Sequence, residues 1–273
     1  MAEAGGAAVL PGTRRWRLLV AYDGSGFRGF ATQADPGVPT VGGALALALA
    51  RTARLPEPPP LVCAGRTDAG VHAMGQVVHV DLPEGYDGDL ARALTRQLAP
   101  AVVVREAAPA PPGFDARRSA TRRHYRYHVW NAPAPYPLLS ATAWHVAAPL
   151  DLRPMAAAAD ALIGERDFRA LCRRPPGADA AHPIVRRVLD ARWREAPDED
   201  VRGGRLLRFD VVATAFCHQM VRSMVGVLVQ AGKGRANAAT VVGLLGSGSR
   251  AGAPQLAPPH GLCLVDVGYD QPS

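Results

Sequence analysis

Between Trp16 and Tyr22, Leu18 and Val20 alternate with Arg17 and Leu19, the period of a strand with one wetter face. A glycine-rich stretch, DGSGFRGF, follows and reads as a loop. Thr40 is a candidate N-cap for a helix through GALALALARTARL, where Leu45 and Leu49 recur at helical spacing, although Gly42 and Gly43 weaken the first turn. Leu61 to Ala64 predicts a short apolar strand, GRTDAGVHA a loop, and Gln76 to Leu82 a strand marked by Val78 and Val80. Asp89 to Leu98 has a helical pattern and Val102 to Val104 a strand pattern. PAPPG at 109–113 is the best linker, so the predicted division is 1–112 and 113–273.

The second half predicts strands over His124 to Trp130, Ile184 to Arg194, Leu206 to Thr214 and Leu262 to Gly268. Helices are predicted from Asp151 to Ile163, from about His218 to Ala231 and near Ala238 to Leu245. Both halves mix strands and helices on the scale of a split βαβ unit, without a residue-level repeat. The expected fold class is therefore α+β: two ferredoxin-like halves, each with an antiparallel sheet, facing one another across a central cleft.

Charge adds a class of partner. The formal net charge is +7 with a sequence pI of about 9.7, and of 31 basic residues all but Lys233 are arginine. Arginine grips phosphate through a planar fork and stacks on bases, which suits nucleic acid, although Ala, Gly and Pro are also abundant and the bias is partly compositional. Cys63, Cys172, Cys217 and Cys263 are far apart with no CxxC pair, so they read as mostly buried thiols rather than a zinc site. No apolar run approaches the ~20 residues of a membrane span, and MAEAGGAAVL lacks the pattern of a signal peptide. A cytoplasmic, reduced protein without a membrane partner is expected.

Candidate chemistry centres on CAGRTDAGVHA. Gly65, Gly70, Ala64, Ala69 and Ala73 leave little side-chain bulk around the Asp68 carboxylate, so a flat substrate could approach it. Arg66 and His72 flank it as charge partners or phosphate contacts. An Asp after Thr and before Gly also commonly does no more than cap a turn. The loop lacks the GxxxxGK[ST] of a phosphate loop, and DGSGFRGF is not a GxGxxG opening a helix. No HxExxH-type spacing surrounds His72 or His79, so no metal site is expected.

The stretch GRTDAGVHA resembles, nearly residue for residue, the active-site motif of the tRNA pseudouridine synthase A family. The resemblance extends through YDGSGFRGF, FDARRSATRRHYRYHVWN, GERDF at 164–168, FCHQMVRSMVGVL and APPHGLCLVDVGY, five further segments in the same order. It implies conversion of uridine to pseudouridine at positions 38, 39 and 40 in the anticodon stem-loop of tRNA, by a homodimer. It assigns Asp68 as catalytic aspartate, Tyr125 as active-site tyrosine and Arg222 as the arginine that pairs with the aspartate. The product is an isomer, so no cofactor is expected.

A carboxylate suits this task because it can act as a covalent nucleophile, on the sugar or on the uracil ring. A base taken out of its stack needs a flat platform, which Tyr125 can supply, although strand alternation alone would place Tyr125 and Tyr127 together in a core. Arg222 lies among Met220, Val221, Met224 and Val225, which predicts a half-buried guanidinium in want of a carboxylate. Arg66, Arg117, Arg122, Arg123 and Arg126 are expected to be more exposed and are candidates for RNA phosphate contacts.

The chain departs from the family pattern in GFATQ, where GWQ is usual: Phe30 keeps the apolar body and loses the indole donor. Gly42 stands where glutamine is usual, and His124 where a second basic residue before Tyr125 is common. Two other classes compete with the synthase reading. An RNA-binding module without activity would not need Asp68, Tyr125 and Arg222 together, and a nucleotide-dependent transferase would need a phosphate-loop lysine.

Overall fold

The computed structural model describes residues 9, 12–33, 35, 37–174, 177, 179, 182–196, 203–252 and 255–269. The stretch MAEAGGAAVL, apart from Val9, lies outside the described residues. The fold is mixed α/β with mostly antiparallel strand pairing and five α-helices among the described residues. It divides into two compact units, 1–121 with 264–273, and 122–263.

In the first unit the strand order is β4 (Val102–Pro109), β1 (Thr13–Tyr22), β3 (His72–Pro83) and β10 (Leu262–Tyr269), with β2 (Val62–Cys63) also on β3. β1 runs antiparallel to β3 with Leu18 opposite Val78, Trp16 opposite Val80 and Arg14 opposite Leu82. Leu18, Val20, Val78, Val80 and Leu82 are fully buried, so the alternation in β1 marks a real core face. Helices α1 (Val41–Thr52) and α2 (Leu90–Leu98) pack on each other and contribute Leu45, Leu49, Leu90 and Leu94 to the core. Each helix starts where a side-chain cap can satisfy an orphan donor: Gly43 N–H donates to Thr40 Oγ1 at 3.1 Å and Arg92 N–H to Asp89 Oδ1 at 3.0 Å.

In the second unit β5 (Ala120–Asn131), β9 (Arg205–Ala213), β8 (Val185–Glu195) and β7 (Gly164–Asp167) form an antiparallel series, with β6 (Trp144–Val146) parallel to β5. Helices α3 (Leu152–Asp160), α4 (Met220–Gly232) and α5 (Ala238–Ser247) complete it. α4 is buried nearly all round, in keeping with a sequence whose polar side chains are Arg222, Ser223 and Gln230. No helix among the described residues is long and apolar enough to cross a membrane.

Two sequence expectations need correction. Cys172 and Cys217, read as thiols, are joined in a disulfide with a Cα–Cα distance of 5.8 Å. Arg173 N–H donates to His218 O at 2.9 Å, which lays the two segments side by side and brings together cysteines 45 residues apart. Neither Cys63 nor Cys263 is disulfide-bonded, and burial pushes the Cys63 thiol up to about 11.

The second correction concerns Arg123 and Arg126, which were expected at an open surface. Arg123 is 7% exposed and donates from Nη1 to Thr214 O at 2.7 Å. Arg126 alternates to the other face of β5 and bonds Asp210 Oδ1 through Nε at 2.9 Å. Asp210, 4% exposed, also receives Arg194 Nη2 at 2.9 Å and has His124 Nε2 2.7 Å away. Burial pushes the Asp210 carboxyl upward, but the hydrogen bonds from His124, Arg194 and Arg126 outweigh it and hold the group well below the usual carboxylate range.

Candidate active site

Asp68 lies in the connection between β2 and β3, in the first unit, and is half-buried. Its backbone is fixed at several points. Val71 N–H donates to Asp68 O at 3.1 Å, closing a turn in which Gly70 has φ of 77°. On the other side, Thr67 is buried, its Oγ1 lies 2.8 Å from the Tyr22 hydroxyl, and its carbonyl accepts from Phe30 N–H at 3.1 Å. Gln76 Nε2 reaches back to Gly65 O at 2.7 Å. A residue in such a turn moves only if several hydrogen bonds break together.

The glycine-rich loop DGSGFRGF is the other half of this clamp. Phe27 O accepts from Gly70 N–H at 3.3 Å, and Gly24 N–H donates to His72 Nδ1 at 3.2 Å. His72 Nδ1 also lies 3.1 Å from Asp23 Oδ1, so this ring is used to tie the two loops together. Phe30 packs its ring against Tyr22 at 6.2 Å and makes its tie to Thr67 through the backbone, which any residue could make. The indole donor lost at this position is therefore not required for the clamp. Gly42 N–H donates to Phe30 O at 2.8 Å, and a Cβ on Gly42 would lie 2.6 Å from that oxygen, so the glycine that weakens the helix start allows α1 to brace the loop.

Gly29 is constrained in both conformation and space. Its φ is 101°, and an added Cβ would lie 2.9 Å from Thr67 O. Gly29→Ala is expected to displace the Asp68 turn and lower kcat by up to about 10²-fold, the typical cost of misplacing a reacting group by about 1 Å. Single-turnover rates beside thermal melting check this: an unchanged rate would mean that the clamp does not set the position of Asp68.

The other assigned residues belong to the second unit, apart from Arg66 and Arg117, which are exposed in the first. Arg117 follows Asp115, whose Oδ1 accepts from Arg117 N–H at 2.9 Å and Arg118 N–H at 2.8 Å and so holds this arginine-bearing turn. Tyr125 is 7% exposed on the core-facing side of β5, with its ring edge-on to Phe216 at 5.0 Å. Phe216 precedes Cys217, so the disulfide restrains the segment that supports the tyrosine. Tyr127, on the same face, donates from its hydroxyl to Pro258 O at 2.7 Å, and burial raises its pKa above the ordinary phenol value while Arg222 opposes the rise.

Arg222 sits in the first turn of α4, half-buried as its neighbours predict. Its Nε donates to Ala257 O at 2.8 Å and its carbonyl accepts from Ala257 N–H at 3.2 Å, a reciprocal pair that fixes the guanidinium plane. Arg122 is exposed at the start of β5. GERDF is structural: Asp167 Oδ1 accepts from Arg169 N–H at 3.0 Å and Ile184 N–H at 2.9 Å, and Phe168 is fully buried.

A family model described as tRNA pseudouridine synthase matches residues 158–270. A protein of Frankia casuarinae named tRNA pseudouridine synthase A is 47% identical over 262 residues, covering 94% of this chain and 90% of that protein. The chain belongs to the tRNA pseudouridine synthase A family. Proteins of the same name from Cutibacterium acnes and Methylobacterium radiotolerans are each 43% identical, covering 93% and 94% of this chain and 88% and 98% of theirs. For a pseudouridine synthase, the chemical demand is a carboxylate held still and a flat ring for the base. The Asp68 turn and Tyr125 have those properties, each within its own unit.

Sequence reasoning missed Asp210, Arg194 and the Cys172–Cys217 pair, and gave no weight to Arg250. The cysteines could have been suspected from their number, but nothing local marks their partners. Asp210 stands 84 residues from Arg126 along the chain, and only the register of β5 with β9 brings them together.

Proposed function

We propose that this synthase isomerises uridine at positions 38, 39 and 40 of the tRNA anticodon stem-loop, with Asp68 as nucleophile. The observation that supports this most is the half-buried Asp68 on a turn locked by backbone hydrogen bonds within itself and with the glycine-rich loop at 23–30. The C1′–N1 bond of uridine breaks and a C1′–C5 bond forms; C5 loses a proton and N1 gains one, so no external donor or oxidant enters the balance. Asp68 adds to the sugar or to the uracil ring while the base turns over. Tyr125 stacks on the flipped uracil, and Arg222 is the arginine that resemblance assigns to the aspartate.

Arg66, Arg117 and Arg122 are the exposed arginines proposed to meet RNA phosphates. Arg123 and Arg126, engaged by Thr214 O and Asp210, act on RNA only if those bonds are shared. The fold is proposed as two ferredoxin-like halves flanking an RNA-binding cleft, 1–112 with the catalytic loop and 113–273, working as a cytoplasmic homodimer.

The test is incubation of the purified protein with unmodified tRNA, without cofactor and with a chelator, followed by mapping of pseudouridine. Modification at 38, 39 or 40 is expected; its absence from several folded tRNAs would sink the reading. Tyr125→Phe is expected to retain tRNA binding and lose about 10²-fold in rate, if its hydroxyl assists proton movement at C5. A fully active Tyr125→Ala would place the residue in the core and nowhere else.

A further inference from the structure

Arg250 has an environment that a structural arginine does not need. It stands in a short turn, Arg250–Gly252, that packs on the turn Arg169–Leu171 in the second unit. Its Nη2 donates to Gln219 Oε1 at 3.0 Å, a neutral acceptor. Its Nη1 is buried and has no hydrogen-bond partner among the described residues. A guanidinium carries five donors and no acceptor, so a buried nitrogen without a partner wastes its strongest interaction.

The charges nearby make this worse. Burial, then Arg173 and Arg222, lower the pKa of Arg250 below its ordinary value, and no carboxylate among the described residues figures as an opposing influence. Arg173 and Arg222 thus act with like charge on a partly desolvated Arg250, and an anion at its unpartnered Nη1 would offset both the desolvation and the repulsion that Arg250 feels. α4 adds to the same sign: it is a helix of 13 residues whose N-cap, Gln219 at φ of 65°, makes no side-chain capping bond and instead gives its amide oxygen to Arg250. The N-terminal end of a helix carries partial positive charge and favours an anion.

The geometry points to Arg250, with Arg173 and the start of α4, as a phosphate-binding site that receives a phosphodiester of the substrate RNA. Arg250 supplies a fork to two phosphate oxygens and Arg173, which is exposed, adds charge from the solvent side. Arg222, in the first turn of the same helix, is thereby linked to the grip on the RNA backbone. This rests on the reading of the protein as a tRNA pseudouridine synthase. An unmodified tRNA is the macromolecule that presents such a phosphate to this family.

Three readouts on the full chain test it. In phosphate-free buffer, Arg250→Met is expected to melt at or above the wild-type temperature, because it removes a crowded charge and an unpaired donor. Adding inorganic phosphate is expected to raise the melting temperature of wild type and to leave that of Arg250→Met unchanged. Binding of unmodified tRNA across a salt series is expected to weaken about tenfold in Arg250→Met, with the slope of log affinity against log salt reduced by about one phosphate's worth. Arg250→Lys should recover part of the affinity, since it keeps the charge and loses the fork.

A large fall in melting temperature for Arg250→Met in phosphate-free buffer would make the residue structural and overturn the proposal. So would an unchanged tRNA affinity and salt slope, including the case in which phosphate still protects wild type. If wild type bound phosphate through Arg250 but formed no pseudouridine in any tRNA, the anion site would stand and its assignment to RNA would fall with the synthase reading.

Discussion

Asp68→Asn is expected to abolish pseudouridine formation while tRNA affinity stays within about tenfold, or ~1.4 kcal/mol. The substitution keeps shape and removes the nucleophilic oxygen pair. The structure adds a reason why the loop should survive it. The turn is held by Asp68 O, Thr67 O, Thr67 Oγ1, Gly70 N–H and Gly65 O, none of which belongs to the Asp68 carboxylate. Loss of rate is therefore attributable to chemistry once circular dichroism and melting match wild type. Both rate and binding should be measured on one preparation, and pseudouridine above an empty-vector control would remove Asp68 from the mechanism.

Asp210→Asn is expected to cost about 3 kcal/mol of stability. Breaking a buried ion pair costs about 3–5 kcal/mol, because it leaves its partners desolvated and uncompensated. The lower end applies here, since the Arg194 side chain is 64% exposed and solvent screens part of its loss. The pH dependence has a definite sign. The folded-state pKa of Asp210 lies below its unfolded value of 3.8, so its contribution is complete above that pH and is lost as pH falls through the folded pKa. Wild type should therefore show a steeper acid limb than Asp210→Asn in urea unfolding followed against pH, with equal m-values. Activity per folded molecule should be unchanged, because Asp210 and Tyr125 belong to opposite faces of their sheet. A difference under 0.5 kcal/mol, about the size of an ordinary surface change, would mean that the network is a surface feature.

Much of the fold was legible where local chemistry decides the outcome. Thr40, Asp89 and Asp151 all cap helices that start at the next residue, and the valines at 78 and 80 mark a buried strand face. Several strands were read short. β4 continues from Val104 through Arg105 and Glu106 to Pro109 because pairing with β1, not side-chain alternation, sustains it. β3 begins at His72, which takes that residue and Ala73 out of the expected loop. β6 and β7, at three and four residues, were missed because so few positions cannot display a period.

The site divides along the same line. The small residues around Asp68 announced a tight turn, but not that Gly29 and Phe30 would clamp it through the backbone. Alternation along β5 was enough to separate Arg126 from Tyr125, and it also places Arg123 on the buried side. Treating all five arginines as one basic surface overlooked that rule. Partners of Asp210 and the cysteine pair depend on register between distant segments, which no local pattern encodes.

Strand β10 has an implication for how the polypeptide matures on the ribosome. Residues 264–269 complete the sheet of the first unit, with Tyr269 donating to Ala116 O at 2.7 Å and packing its ring 5.1 Å from Phe114, yet all of 122–263 is synthesised in between. The first unit must therefore wait, with one side of β3 paired only at its short contact with β2, until the second has emerged. An exposed strand edge of that kind invites wrong partners during translation. Truncation upstream of Leu264 should thus harm solubility far more than the few residues removed would suggest, and a separately expressed 1–121 fragment should need residues 264–269 supplied as a peptide to become compact.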